Sequence, residues 1–337
     1  MITIDGTHGE GGGQILRTSL GLSLVTGTPF IIENIRGGRS KPGLLRQHLC
    51  CVRAAAEIGG AEVEGDALRS GTLRFVPRTV TPGDHRFSVG SAGSALLVLQ
   101  AVLPALMTAG GPSRIVLEGG THNPWAPPLP FITASFAPVL RRMGVGLTLT
   151  LDRPGFFPAG GGRVVVEVEP ARRLQQLTLR HAPIRAVRGI ATVANLGDTI
   201  AERELKVLRR KLREHAPELV LERLDGAQSP GNVVRVEIDH GEDTACFVAF
   251  GEKRKRAEKV AEAAARAART WMRQRVAVCE HLADQLLVPM ALAGGGSYFT
   301  GPLTEHTRTN IHTVGQFLGV PITTGDLDDD AVAVQVG

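Results

Sequence analysis

The run His8-Gly9-Glu10-Gly11-Gly12-Gly13-Gln14-Ile15-Leu16-Arg17 decides how this chain is read. Ahead of it, Ile2 to Ile4 reads as a strand. Behind it, Gln14 to Val25 reads as an apolar helix. Glycines at such a junction permit turns that a Cβ resists, and they bare backbone N–H groups at the positive end of the helix. The junction recurs at Gly90-Ser91-Ala92-Gly93-Ser94, between a strand from His85 to Val89 and a helix from Ala95 to Met107.

Around each junction the same order of elements follows. After the first helix come a strand at Pro29 to Ile32, a helix from Pro42 to Ile58 stopped by Gly59-Gly60, and strands at Ala61 to Glu64 and Thr72 to Val76. The second copy continues with Arg114 to Leu117, a helix from Pro130 to Met143, and strands at Val145 to Leu151 and Arg163 to Val168. A β-α-β-α-β-β pattern returning after about 80 residues is an internal repeat. A third copy emerges if it is interrupted: Leu177 to Leu179, then a helix from Val276 to Ala291, Ser297 to Phe299, a helix from Asn310 to Leu318, and strands at Val320 to Ile322 and Ala331 to Val336. The expected division is a repeated-unit domain, 1–183 with 276–337, and an inserted α/β domain, 184–275. The insert reads as a strand from Ile184 to Val193, a helix opened by the capping-box pattern Thr199-Ile200-Ala201-Glu202, strands near Leu219, Val233 and Phe247, and a charged helix from Lys255 to Met272 with a solvated face.

Composition sets the class. With 43% hydrophobic and 21% charged residues, the 337-residue chain reads as an ordinary soluble globular protein. The four cysteines, two of them the adjacent Cys50 and Cys51, include no CxxC spacing, which argues against a zinc or redox motif. No stretch of 18 apolar residues and no signal peptide is evident, so the chain reads as cytoplasmic with no membrane partner. The formal charge of +5 is compatible with an anionic partner such as RNA.

Several segments carry candidate chemistry. At the first glycine junction Glu10 could hold a divalent cation and Arg17, one turn into the helix, could reach a phosphate; a purely structural turn is the competing reading. Arg36, Arg39, Lys41 and Arg46 crowd the approach to the second helix, where cations oppose the helix dipole unless a polyanion sits among them. Gly90 to Ser94 is a second candidate anion cradle. Gln100, on the helix after it, reads as a satisfied core amide. Near the C-terminus, Glu305-His306-Thr307-Arg308-Thr309-Asn310-Ile311 places His306 in the loop before a helix capped by Thr309, where the positive helix end favours neutral, nucleophilic imidazole. The residues alone do not single out His306 from His48, His122 or His281.

Together these segments resemble the RNA 3′-terminal phosphate cyclase family. The resemblance rests on Gly9 to Arg17, on Lys41-Pro42-Gly43-Leu44-Leu45-Arg46-Gln47-His48, on Gly90 to Ser94, on Gly155-Phe156-Phe157-Pro158-Ala159-Gly160-Gly161-Gly162, on Gly251-Glu252-Lys253-Arg254, on Ala283-Asp284-Gln285, and on His306 with Thr309-Asn310-Ile311, in order along almost the whole chain. It implies an α/β fold of α+β type: three tandem units like the C-terminal domain of initiation factor three, with the small inserted domain. It implies ATP as substrate, Mg²⁺ or Mn²⁺, RNA 3′-phosphate ends as partner, and His306 as the nucleophile that carries AMP. The motif match makes Glu10 the metal contact. It makes Gln14, Gln100, Pro127, His281, Asp284 and Gln285 adenylate contacts, and Arg17, Arg36, Arg39, Gln47 and His48 contacts for RNA phosphates or pyrophosphate. Pro154 departs from a basic residue usual in the family, and His281 from an aromatic hydroxyl. A homodimer is compatible with the reading. The alternatives are a non-catalytic RNA-processing or ribosome-assembly relative, which would lack the nucleophile, and a transferase related to the enolpyruvate transferases, which has no need of the His306 segment.

Overall fold

The computed structural model describes residues 1–328 and 330–337. The first unit runs β1 (Ile2–Asp5), α1 (Gly13–Thr26), β2 (Phe30–Glu33), α2 (Arg46–Gly59), β3 (Glu62–Glu64) and β4 (Leu73–Val76). The second runs β5 (Asp84–Ser88), α3 (Ala95–Leu106), β6 (Ser113–Gly119), a helix made of α4 (Leu129–Phe131), a π segment (Ile132–Phe136) and α5 (Ala137–Arg142), then β7 (Gly146–Arg153) and β8 (Gly162–Glu169). β9 (Thr178–Leu179) opens the third. The chain then leaves to build β10 (Ile184–Ala194), α6 (Thr199–Lys211), β11 (Glu218–Arg223), β12 (Gly231–His240), β13 (Asp243–Phe250) and α7 (Ala257–Gln274). It returns as α8 (Glu280–Leu292), β14 (Gly296–Thr300), α9 (Glu305–Phe317), β15 (Ile322–Asp328) and β16 (Ala331–Val336).

The repetition extends to the sheets. Their strand orders are β1-β2-β4-β3, β5-β6-β8-β7 and β9-β14-β16-β15: the same order three times. In each, the first two strands pair parallel and the other two pairings are antiparallel. The parallel pair needs a crossover, and the apolar helix after each first strand supplies it. That helix is buried along most of its length: Leu16, Leu20 and Leu22 in α1, Leu96, Val98 and Val102 in α3, and Leu286, Leu287 and Met290 in α8 are almost fully covered. The fourth sheet, β11-β10-β12-β13, belongs to the segment between β9 and α8; α6 and α7 cover one face of it. Ala261, Ala264, Ala265, Ala268 and Trp271 form the buried side of α7, whose charged residues face outward.

Several sequence-based boundaries shift for identifiable reasons. The helix expected from Pro42 starts only at Arg46, because Gly43 takes a left-handed conformation (φ +79°) that a helix cannot contain. A Cβ on Gly43 would lie 2.4 Å from the Arg69 carbonyl oxygen. Arg36, Arg39 and Lys41 therefore lie in a loop, and only Arg46 opposes the helix dipole. The helix expected from Val276 starts at Glu280, since Ala277 and Val278 are held in extended pairing with Phe299 and Thr300. At α6 the cap position falls on Asp198, whose carboxylate binds Arg223 at 2.9 Å instead of capping, so the Thr199 box does not form. The last shift concerns His306. Thr304, not Thr309, caps α9 by accepting the Thr307 N–H at 3.2 Å, so His306 sits in the first helical turn.

Candidate active site

The three units bring their helices together at one place. α1 packs against α3 and α9, and α8 packs against α9 and the π segment. Gln14, Arg17 and Thr18 on α1, Gln100 on α3, Asp284 and Gln285 on α8, and Asn310 on α9 line a cavity of about 60 Å³. Its inner wall is apolar, formed by Leu103, Pro104, Met107, Phe136, Val288 and Pro289.

His306 meets the lining residue Gln14, and its side chain is 54% exposed. Two oxygens approach its Nδ1: Gln14 Oε1 at 3.0 Å in hydrogen-bonding geometry, and Glu10 Oε2 at 2.8 Å. The Gln14 oxygen can only accept, so Nδ1 carries the ring proton and Nε2 keeps its lone pair; Glu10 Oε2 is close but outside hydrogen-bonding geometry. Gln14 cannot flip without loss, because its amide Nε2 donates to Asp284 Oδ1. Asn310 bridges in turn: its Nδ2 donates to the Asp284 carbonyl at 3.0 Å, and its Oδ1 accepts from the Thr18 hydroxyl at 2.7 Å. Burial is the largest influence on both titrating groups. It holds the His306 pKa below its ordinary value, aided by Arg17 and Arg39 and opposed by Asp284. It raises the Asp284 pKa, against the pull of His306, Gln14, Arg17 and Asn310. A neutral imidazole is thereby favoured at neutral pH.

Around this core sit the other predicted residues. Glu10 forms an ion pair with Arg39 through Oε1, and its backbone N–H donates to Thr309 Oγ1 at 3.1 Å. Glu10 Oε2 is buried and accepts no hydrogen bond. Among the described residues no three His, Cys, Asp or Glu side chains cluster as a self-sufficient metal cage. One buried, unsatisfied carboxylate oxygen instead fits a hard cation that takes its other ligands from phosphates and water. Arg17 Nε donates to Gln100 Oε1 at 3.2 Å, so a cation satisfies the Gln100 amide oxygen. Burial lowers the Arg17 pKa. His48 lies against Gly13, where a Cβ would come within 2.5 Å of its Nε2. Its Nδ1 accepts the Leu45 N–H at 3.3 Å, and burial, with Arg17 and Arg36, pushes its pKa down to about 3.

Some expected contacts stand apart. Arg36 folds onto its own loop and donates to the Lys41 and Gly43 carbonyls, the latter at 3.0 Å. Gln47 Oε1 accepts the Ser94 N–H at 2.7 Å, the Gly93 N–H binds Ser91 Oγ, and the Ala95 N–H binds the Gly120 carbonyl. Protein acceptors thus take the Gly93 and Ser94 N–H groups of the second glycine loop. His281 is largely exposed and meets Phe131 edge-on at 6.5 Å; Pro127 lies four residues before that Phe, and neither lines the cavity. Gly155 and Gly162 serve close backbone packing, each within 2.6 Å of the other's backbone if given a Cβ. Sequence reasoning passed over Thr18 and the role of Thr304. Thr18 lies one turn after Gln14 on the same helical face, and Thr304 precedes the acidic Glu305, which favours a helix start; both signals were present.

Comparison with known proteins places this arrangement. The family described as RNA 3′-terminal phosphate cyclase matches residues 8–324. A protein of Koribacter versatilis named RNA 3′-terminal phosphate cyclase is 52% identical over 324 residues, covering 95% of this chain and 90% of the relative. Proteins of the same name from Ralstonia nicotianae and Salmonella agona are 48% and 46% identical, covering 99% and 100% of this chain and 97% and 96% of theirs. The matched regions span all three units and the segment between β9 and α8, and the chain belongs to the RNA 3′-terminal phosphate cyclase family.

Proposed function

We propose that this enzyme converts an RNA 3′-terminal phosphate into a 2′,3′-cyclic phosphodiester at the expense of ATP, with His306 as the covalent carrier of AMP. Family membership supports the overall reaction. The observation that carries the mechanism is the tautomer of His306: the Gln14 acceptor at Nδ1 leaves Nε2 free. In the first step Nε2 attacks the α-phosphorus of ATP, forming an N–P bond as the bond to pyrophosphate breaks. In the second an oxygen of the RNA 3′-phosphate attacks that phosphorus, the N–P bond breaks, and RNA(3′)pp(5′)A forms. In the third the neighbouring 2′-OH loses its proton and attacks the 3′-phosphorus; AMP leaves and the ring closes.

The chemistry follows ordinary barriers. A phosphate monoester has a poor leaving group; adenylation supplies a good one and divides the difficult step. The closing hydroxyl is held beside its target, so the last step is intramolecular. Arg17 and Arg39 stand beside His306, where they can neutralise charge on the transferring phosphates. Glu10 would hold Mg²⁺ or Mn²⁺, and such an ion would withdraw charge from the phosphates. Gln14, Gln100, Asp284 and Gln285, with Pro127 and His281 outside the cavity, are proposed to bind the adenylate. Arg36, Gln47 and His48 are proposed to serve the RNA or pyrophosphate side. Residues 184–275 are proposed to form a separate domain, for which limited proteolysis should cut near both of its borders.

The test is incubation with α-labelled ATP and a divalent metal. An acid-labile label on the protein, absent in His306→Ala, is the expected result. No label with any metal would reject the mechanism.

A further inference from the structure

Three of the large exposed hydrophobic side chains gather around one loop. Leu68 is 53% exposed, Phe157 74% and Trp125 99%. Leu68 lines a cleft of about 410 Å³ together with Arg46, Arg69, Ser91 and Gly93. Trp125 and Phe157 sit on segments tied to the next residue of that loop. Asn123 Nδ2 donates to the Ala92 carbonyl at 2.7 Å, and Gly160 packs so closely on Ala92 that a Cβ would lie 2.7 Å from its Cα. The two segments are also bound to each other, through the Thr121 and His122 N–H groups on the Gly155 carbonyl. Trp125 further holds a left-handed backbone (φ +66°), unusual for a bulky residue, and this presents its ring fully to solvent.

Among the described residues, this face carries cations without carboxylate partners. Arg46 and Arg69 are exposed and have no carboxylate partner among the described residues; the Arg46 guanidinium only donates to the Gly90 carbonyl, at 3.1 Å. Lys41, in the preceding loop, is likewise exposed and unpaired there. Unneutralised cations beside bare aromatic rings are the pattern that single-stranded nucleic acid requires, phosphates for the cations and unpaired bases for the rings.

Resting on the proposed cyclase reaction, we infer that the cleft at Arg46 and Arg69, with Trp125 and Phe157, is the track that receives the unpaired nucleotides preceding the RNA 3′ end. Arg46 and Arg69 take backbone phosphates, and the two rings stack on bases. The track reads no sequence, because every base offers a face to a ring. It selects against a fully paired end, whose bases are already stacked.

The protein carries its own probe, since its two tryptophans are the exposed Trp125 and the buried Trp271. Titration with a short unpaired oligoribonucleotide bearing a 3′-phosphate should quench the exposed component of the emission. Trp125→Ala should remove that quench. Trp125→Ala with Phe157→Ala should weaken binding roughly thirtyfold or more, while labelling by ATP alone keeps its rate. Arg69→Ala should lower the salt slope of binding by about 0.7. Unchanged RNA affinity in the double variant would overturn the inference, as would equal quenching by ATP without RNA. The quench needs no chemistry, so absent labelling sinks the proposed reaction and absent quenching sinks the track.

Discussion

Replacing Gln14 by Leu tests the argument at its narrowest point. The side chain makes two hydrogen bonds: its oxygen accepts from His306 Nδ1 at 3.0 Å, and its nitrogen donates to Asp284. Leu keeps the bulk and removes both. The bond to His306 is worth about 0.5–1.5 kcal/mol. The Glu10 carboxylate charge remains 2.8 Å from Nδ1, so the tautomer is weakened rather than reversed. The formation of protein-bound AMP should therefore slow by about 2- to 10-fold in single-turnover quench experiments with α-labelled ATP. Asp284 loses a donor but keeps Arg17 and His306 beside it. The stability loss should be about 1–3 kcal/mol, so rates must be compared well below the melting transition. Nitrogen chemical shifts of the His306 ring supply an independent readout: a protonated Nδ1 in the parent, a mixture in the variant. A parent-like rate with an unmixed tautomer would refute the reasoning. A loss beyond about a hundredfold at saturating ATP would refute it differently, because the loss of one hydrogen bond to the ring cannot cost so much.

Other expectations concern the same neighbourhood. Neutral His306 is the proposed reactive form and its pKa is held below 6.5, so the labelling rate should fall as pH drops through that lowered pKa; a half-maximal rate above pH 6.5 would contradict this. Gly13→Ala puts a Cβ within 2.5 Å of His48 Nε2 and should cost about 1–3 kcal/mol in urea unfolding, whereas Gly27→Ala, with open space around it and only its left-handed backbone to strain, should leave the His306 labelling rate unchanged. His48 is neutral in the fold with a pKa near 3 against 6.5 for the free side chain, so the unfolded chain binds the extra proton between those values. Its contribution to stability is therefore complete above pH 6.5 and is lost as pH falls toward 3, and His48→Gln should flatten the dependence of the urea midpoint across that window. An oligoribonucleotide with a 2′-deoxy 3′ terminus should stop at the adenylated end; a cyclic product from it would overturn the proposed third step.

The sequence by itself determined the repeated unit. Glycine at a strand-to-helix junction, followed by an apolar helix, is a local demand of backbone geometry, so it is legible wherever it recurs, and the sheets repeat one strand order as that pattern required. It also placed Glu10, Arg17 and Gln14 at a helix start. Local signals failed where a distant contact chose between local options. Gly43 is left-handed against Arg69, and this delays α2; the pairing of Val278 with Thr300 delays α8; Thr304 rather than Thr309 caps α9, freeing Thr309 to bind the Glu10 N–H. The tertiary structure alone decided which acceptor meets the His306 ring. Gln14 stands 292 residues away in sequence and Asp284 reaches it only through that amide. A tautomer is fixed by whichever acceptor lies 3 Å from the ring, and no spacing along the chain records that distance.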